Sequence, residues 1–341
     1  MDISFVGNIA HHQFNQGNID LNAVAPLTDW TRTANNGSPG PVARFLDPTS
    51  ANGGTGGFYN TNLLRALGGA YPGWGGIQQH TQNGESHYDS LQAQFNKRVG
   101  QRFHFGSNYT WAKTLVYSRQ QWVSDKLNEN IAGGTRPQAV NINWGYAVPN
   151  GSNLWNNVLT KQVLNGWHVE GIMTFYYGTP LTIGCSANGA PIGYWTGTPS
   201  GGLPFRCQQN GPLFLASGAT PSSVGSTAPS NLWYPFNAGS FALPPVNSLG
   251  IGSTPPTLTY GPGVENVDLS VYKEWHIFSE STILVVKFEA FNALNHFNPS
   301  NPNSSLALNY SNGVNTNASF GTITSASLPA RHGVVSIRFS F

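Results

Sequence analysis

Charge is scarce in this chain of 341 residues: Lys, Arg, Asp and Glu make up 9% of it, against roughly 25% in ordinary soluble domains. So low a content is wrong for a coiled coil or a cytosolic helical enzyme. With 16 basic and 14 acidic residues the formal charge is only +2. The basic residues are scattered, which leaves no electrostatic footprint for nucleic acid. Cysteine is nearly absent. Cys185 and Cys207 lack the Cys-x-x-Cys or Cys/His spacing of a zinc site. They stand in a Gly/Pro-rich stretch, where they either close a loop as a disulfide or stay as two thiols. No run of 18 apolar residues occurs, which excludes a membrane-spanning helix but not a spanning β-barrel. Met1 to Ala10 shows no basic segment followed by an apolar one, so no secretory leader is read there. What the chain does have is 40 Gly, 23 Pro and 12% aromatic residues, too apolar a mixture for a disordered tail.

Several windows alternate with period two, the pattern of a strand whose two faces meet different surroundings. Leu91, Ala93 and Phe95 share a face against Gln92, Gln94 and Asn96. Phe103, Phe105, Tyr109 and Trp111 form the next stripe, then Val140, Ile142, Trp144, Tyr146 and Val148. Trp167, Val169, Gly171, Met173, Phe175 and Tyr177 make a fourth. Val267, Leu269 and Val271 follow, then Leu284, Val286, Phe288 and Ala290, and finally Val335, Ile337, Phe339 and Phe341. Met1 to Asn8 supplies an eighth, with Ile3 and Phe5 on one side. The windows are long for ordinary strands, which peak near ~5–6 residues. They suit a tilted membrane-crossing strand of about 9–11. The opposing stripe is mostly Asn, Gln, Thr, Ser and Gly, the lining of a wetted lumen.

Connection lengths point the same way. The gaps fall at roughly 10–87, 99–102, 116–138, 150–165, 179–263, 276–280 and 294–330, alternating long and short. In an up-and-down meander the four long ones share one end and the three short ones the other. Outer-membrane barrels are built so, with short periplasmic turns and long extracellular loops. A compact soluble domain has little use for structureless loops beyond about 12–15 residues. The expected fold is therefore all-β: an antiparallel up-and-down transmembrane β-barrel portion of about eight strands, the last running inward. Eight strands either close into a small barrel or stand as an open sheet with two edges. Residues 35–57 and 186–263, rich in Gly, Ser, Thr, Asn and Pro with aromatics such as Trp195, Phe214, Trp233 and Tyr234, read as surface excursions.

Catalytic patterns are missing. His11-His12 point to opposite faces if extended, so they cannot chelate together. Gly53-Gly54-Thr55-Gly56-Gly57 lacks the following Lys-Ser/Thr of a phosphate loop. Neither Gly-x-Ser-x-Gly nor His-Glu-x-x-His occurs. The expectation is a protein without enzymatic chemistry, cofactor or metal. Other readings are a secreted all-β binding or adhesion protein and, with so few acids for a carboxylate pair, a glycan-degrading enzyme.

Several runs are familiar as a set. Ser86-His87-Tyr88-Asp89-Ser90-Leu91-Gln92, then Lys97-Arg98, then Asn108-Tyr109-Thr110-Trp111-Ala112-Lys113 resemble a signature of TonB-dependent receptors of the Oar-like, carboxypeptidase-regulatory-domain type. Gly166 to Ile172, Gly178-Thr179-Pro180-Leu181-Thr182, Phe288 to His296, Phe320 to Thr324 and Arg331 to Phe341 follow in the family's order. Phe5-Val6-Gly7-Asn8 is similar to its preceding strand. The resemblance implies a barrel of about 22 strands with an N-terminal plug and an extra β-sandwich domain. It also implies an unknown ligand drawn inward by an inner-membrane energy-coupling complex through TonB. On that comparison the chain is expected to be a truncated, C-terminal third, lacking the plug through which TonB would act.

Within such a barrel, Val335, Ile337, Phe339 and Phe341 look like the C-terminal signal read by the barrel-assembly machinery, or else an ordinary amphipathic last strand. Tyr109, Trp111, Trp144, Trp167, Tyr176 and Tyr177 are expected in aromatic girdles against outer-membrane lipid; the competing reading is a soluble sandwich core. Lys287, Glu289, Arg338 and Asp268 fall on the inward stripe as candidate lumenal ion pairs.

Overall fold

Alternation of apolar and polar residues becomes eight long strands, which pair in chain order. They are β1 (Asp2–Gln13), β2 (Gly84–Val99), β3 (Phe103–Tyr117) and β4 (Gln138–Ala147). Then come β5 (Trp167–Tyr176), β6 (Val264–His276), β7 (Ile283–Phe291) and β8 (His332–Ser340). The computed structural model describes residues 1–13, 19–21, 77–79, 82, 84–117, 129–131, 135–153, 157–188, 206–220, 222, 229, 232–245, 252–255, 257–277 and 282–341. The glycine run at 53–57, the stretch 35–57 and Trp195 lie outside the described residues. Every neighbouring pair is antiparallel. The sheet is open, with β1 and β8 as its edges.

Register carries the apolar stripes into one continuous face. Leu91 opposes both Phe5 and Trp111, Phe105 opposes Trp144, and Val140 opposes Phe175. Val271 opposes Val169 and Phe288, and Val286 opposes Ile337. The other face pairs Asn108 with Asn141, Asn141 with Thr174, Ser270 with Glu170 and Glu289, and Lys287 with Ser336. A slip of one residue would turn every stripe over. Trp111 and Phe288, both on strands paired on each side, are 56% and 51% exposed. These rings stand open to the outside, which is how a wall against lipid looks. Close packing occurs within it: a Cβ on Gly171 would stand 2.6 Å from the Trp144 indole nitrogen, so only glycine lets that ring lie across β5.

The buried core lies off the sheet. The described parts of the connections 177–263 and 292–331 fold together into a cap at the long-loop end. Gly184–Asn188, from the first connection, pairs in parallel with Ser305–Asn309, from the second. Gln208–Gln209 pairs with Phe241–Ala242, and Pro180–Leu181 with Thr259–Tyr260. Between them lies a cluster of Leu181, Ile183, Phe236, Phe241, Leu306, Leu308 and Phe320, joined by Cys207. Cys185 and Cys207 form a disulfide with Cα atoms 5.8 Å apart, tying the parallel strand to that core. The described parts of these polar excursions thus fold into a unit with its own core.

Among the described residues, the short-turn end departs from expectation once. Residues 100–102 turn tightly, with Gly100 at a positive φ of 58°. The connection 148–166, expected as a plain turn, holds a 3-10 turn at Gly151–Asn153 and a helix, α1 (Val158–Leu164). Asn157 caps α1: its side-chain oxygen accepts from the Thr160 backbone N–H at 2.7 Å and from the Thr160 hydroxyl at 2.8 Å. One good cap satisfies a helix start that seven residues of sequence do not announce.

Candidate functional site

The run Phe288 to His296 ends β7 and fastens the cap to the rim. Asn292 and Asn295 adopt positive φ, 49° and 53°, which Asn tolerates better than bulkier residues. The Asn292 backbone N–H donates to Asp268 Oδ1 at 2.8 Å. Its side-chain Nδ2 donates to the carbonyls of His296 (2.9 Å) and Pro329 (3.2 Å), while Oδ1 accepts from the His296 N–H at 2.9 Å. Asn295 Oδ1 accepts from the Arg331 N–H at 3.2 Å. Asn298, 1% exposed, pairs with Glu265 as a strand would: its Oδ1 accepts the Glu265 N–H at 2.7 Å and its Nδ2 donates to the Glu265 carbonyl at 2.9 Å. A side-chain amide has the donor and acceptor of a peptide group, which is why asparagine recurs here. Replacing Asn298 by Ala leaves both Glu265 backbone groups unpartnered, and the rim is expected to lose about 1–3 kcal/mol. Hydrogen exchange at the Glu265 amide checks this: it should quicken in Asn298→Ala, and less in Asn298→Asp, which keeps the acceptor.

Beneath the cap a cleft of about 660 Å³ opens at the rim of β4, β5 and β6. Val140, Phe175 and Glu265 of the apolar face line it together with Tyr176 and Val264 of the polar face, so it sits across the rim of the sheet. Rings from the cap close it. Tyr260 meets Tyr177 edge-on at 5.3 Å, and Phe214 meets Tyr234 edge-on at 5.7 Å while stacking on Phe236 at 5.8 Å. Burial, and then the proximity of Tyr177, push the Tyr234 phenol above its ordinary pKa. Among the described lining residues the ionisable side chains are Glu265 and tyrosines. Such a surface offers ring contacts and hydrogen bonds.

The structure distributes the anticipated site residues as follows. Tyr109, Trp111, Trp144 and Trp167 share the apolar face, and Tyr177 follows β5 beside the cleft. Tyr176 is a correction: adjacent residues of a strand point apart, and its hydroxyl donates to Asn141 Oδ1 on the polar face at 2.9 Å, with the Arg136 guanidinium 5.4 Å from its ring centre. Val335, Ile337 and Phe339 oppose Phe288, Val286 and Leu284, and Phe341 is 96% exposed. On the polar face Lys287 and Glu289 form an ion pair at 2.8 Å. Asp268 instead accepts from Asn266 Nδ2 and the Asn292 N–H, and Arg338 stands opposite Val285. A neighbouring polar group escaped the sequence reading: the Tyr272 hydroxyl donates to Glu170 Oε1 at 3.2 Å, and His168 stacks on Tyr272 at 4.7 Å. His11 Nδ1 lies 3.2 Å from Glu85 Oε1, whereas His12 sits at a register shift with a φ of 57°. Among the described residues no group of three or more His, Cys, Asp or Glu is arranged to hold a metal ion.

Long antiparallel strands paired in chain order, one apolar face with exposed rings, and long connections gathered at one end define the wall of an outer-membrane β-barrel. A family model of the outer membrane beta barrel domain matches residues 1–333, and the chain belongs to that family. It is a protein of the outer membrane. The long-loop end with the cap is accordingly extracellular and the short-turn end periplasmic. No curated protein matches the sequence.

Proposed function

We propose that this chain supplies the wall and extracellular cap of a receptor of the TonB-dependent, Oar-like type, which takes a ligand across the outer membrane without chemistry upon it. The observation that carries this reading is the cap. Two extracellular connections share one buried core and a parallel strand pair, and a disulfide braces the first of them, a folded recognition surface that a purely structural barrel does not need. The ordered motifs add support, since Phe288 to His296 turn out to fasten that cap to the rim. In this reading the partners are outer-membrane lipid, an unknown ligand, and the TonB complex acting through a plug domain. The terminal stripe Val335, Ile337, Phe339 and Phe341 is the part read by the barrel-assembly machinery.

Energy coupling decides the matter. The protein as encoded in its genome, cross-linked in living cells and purified, is expected to carry TonB. Radiolabelled medium components bound at the surface are expected to reach the periplasm only while the proton-motive force is intact. Absence of the cross-link, with surface binding indifferent to collapse of that force, would leave an adhesion protein and refute uptake.

A further inference from the structure

At the periplasmic end the connection between β4 and β5 lies against the lipid-facing side of the wall. Its helix α1 is held there by three side chains of that face. Lys273 opposes Trp167 on β5 and Val286 on β7, and Trp275 opposes Leu284; all five belong to the apolar stripe. The polar atoms of three of them converge on the end of α1. The Trp275 indole N–H donates to the Gln162 carbonyl at 3.0 Å, the Trp167 indole N–H to the Val163 carbonyl at 2.8 Å, and the Lys273 ammonium to the Asn165 carbonyl. The last carbonyls of a helix have no partner within it, and a cation there complements the helix dipole. The ammonium also lies 5.2 Å and 4.9 Å from the ring centres of Trp167 and Trp275, within cation–π range. A bare lysine on a lipid-facing stripe is unfavourable. Here the helix end and two indoles cover it, leaving it 3% exposed.

The outer surface of this connection is covered by no other part of the described chain. Val158 is 75% exposed, Val163 57% and Leu164 43%, and Lys161 and Gln162 are exposed beside them. We propose that α1 and the described residues beside it (148–153 and 157–166) form an interfacial collar, seated at the boundary between headgroups and acyl chains of the inner leaflet, with phospholipid as its partner. Three observations single out lipid. The surface continues the apolar face that already meets lipid. Trp167 and Trp275 hold it at the level where indoles collect in membranes. The mixture of valines with a lysine and a glutamine suits a layer that is apolar on one side and wet on the other, since a lysine stem lies along apolar surface while its charge reaches the headgroups. Register keeps the helix out of the lumen, because every side chain that holds it belongs to the opposite face.

The test uses the whole chain folded into vesicles of phosphatidylethanolamine and phosphatidylglycerol. A nitroxide is placed at Val158→Cys or Val163→Cys, with Gln101→Cys in the β2–β3 turn as the water reference. Oxygen should collide with the label several-fold more, relative to a water-soluble nickel chelate, at 158 and 163 than at 101. Equal ratios at the three positions would overturn the collar. Lys273→Ala should then shift the ratios at 158 and 163 toward the reference while the heat-modifiable gel band of the folded barrel persists. A folded Lys273→Ala protein with unchanged ratios would remove Lys273 from the clamp. Should that variant fail to fold, the labels in the otherwise native chain still decide whether the collar meets lipid.

Discussion

Leu269→Arg should lower the stability of the folded wall by about 2–4 kcal/mol, whereas Ser270→Arg, one position along, should leave it nearly unchanged. Both sites lie near the middle of the thirteen-residue strand β6. Leu269 opposes Gly171 and Ala290, inside the apolar face. A guanidinium there meets hydrocarbon with no carboxylate within its own row. Ser270 opposes Glu170 on one side and Glu289 on the other, so an arginine at 270 gains acidic neighbours in a wetted lumen. Guanidinium titrations in lipid vesicles, followed by the fraction of heat-modifiable band, separate the two variants. Equal losses at 269 and 270 would mean that the two faces do not meet lipid and water as assigned, and the lipid argument for α1 would fall with them. A loss at 270 alone would say the same more forcefully.

The contrast between neighbouring positions also shows what can be read from sequence in such a protein. Strand windows and their faces are legible because lipid on one side and water on the other impose a period of two over nine or more residues, a longer signal than soluble strands offer. Tyr176 and Tyr177 mark its resolution: both looked like girdle residues, yet only parity decides that one of them reaches Asn141 across the polar face. The cap was not legible. Leu181 with Ile183 and Leu306 with Leu308 are alternations of two residues each, too short to stand out among Gly, Ser and Asn. Their meeting depends on a parallel pairing between segments about 120 positions apart, as the Ser186 hydroxyl bond to the Leu306 carbonyl shows. The seven residues of α1 stayed hidden for a related reason. Their stability comes from one Asn cap, from Trp167 just beyond the helix, and from Lys273 and Trp275 on remote β6, which no local window contains. The motif Phe288 to His296 was recognisable as a pattern, but its asparagines act in turn geometry and rim hydrogen bonds, roles that spacing alone does not assign.

Cap and wall should therefore melt separately, and Leu308→Ala is the sharpest way to show it. Leu308 is 0% exposed and Leu306 1%, at the centre of a cluster that contains no residue of the eight long strands. Truncating a fully buried leucine removes its transfer free energy and leaves a cavity, a loss of about 2–5 kcal/mol. That energy comes from a small core with one disulfide, so the cap should open locally while the wall keeps its lipid contacts and its long antiparallel ladder. Limited proteolysis should then cut within 206–245 and 296–330, and amides of 184–188 should exchange faster, with the heat-modifiable band unaltered. Reducing the Cys185–Cys207 bond, which closes a sequence separation of 22, should aggravate the same local opening, because the crosslink limits the open chain. Ligand binding tied to the cap would fall in parallel, whereas a barrel acting without the cap would be indifferent. If the band of the folded wall disappeared together with cap protection, the two would be one cooperative unit, and the asparagine staples at 292, 295 and 298 would be transmitting stability across the rim rather than merely fastening an independent domain.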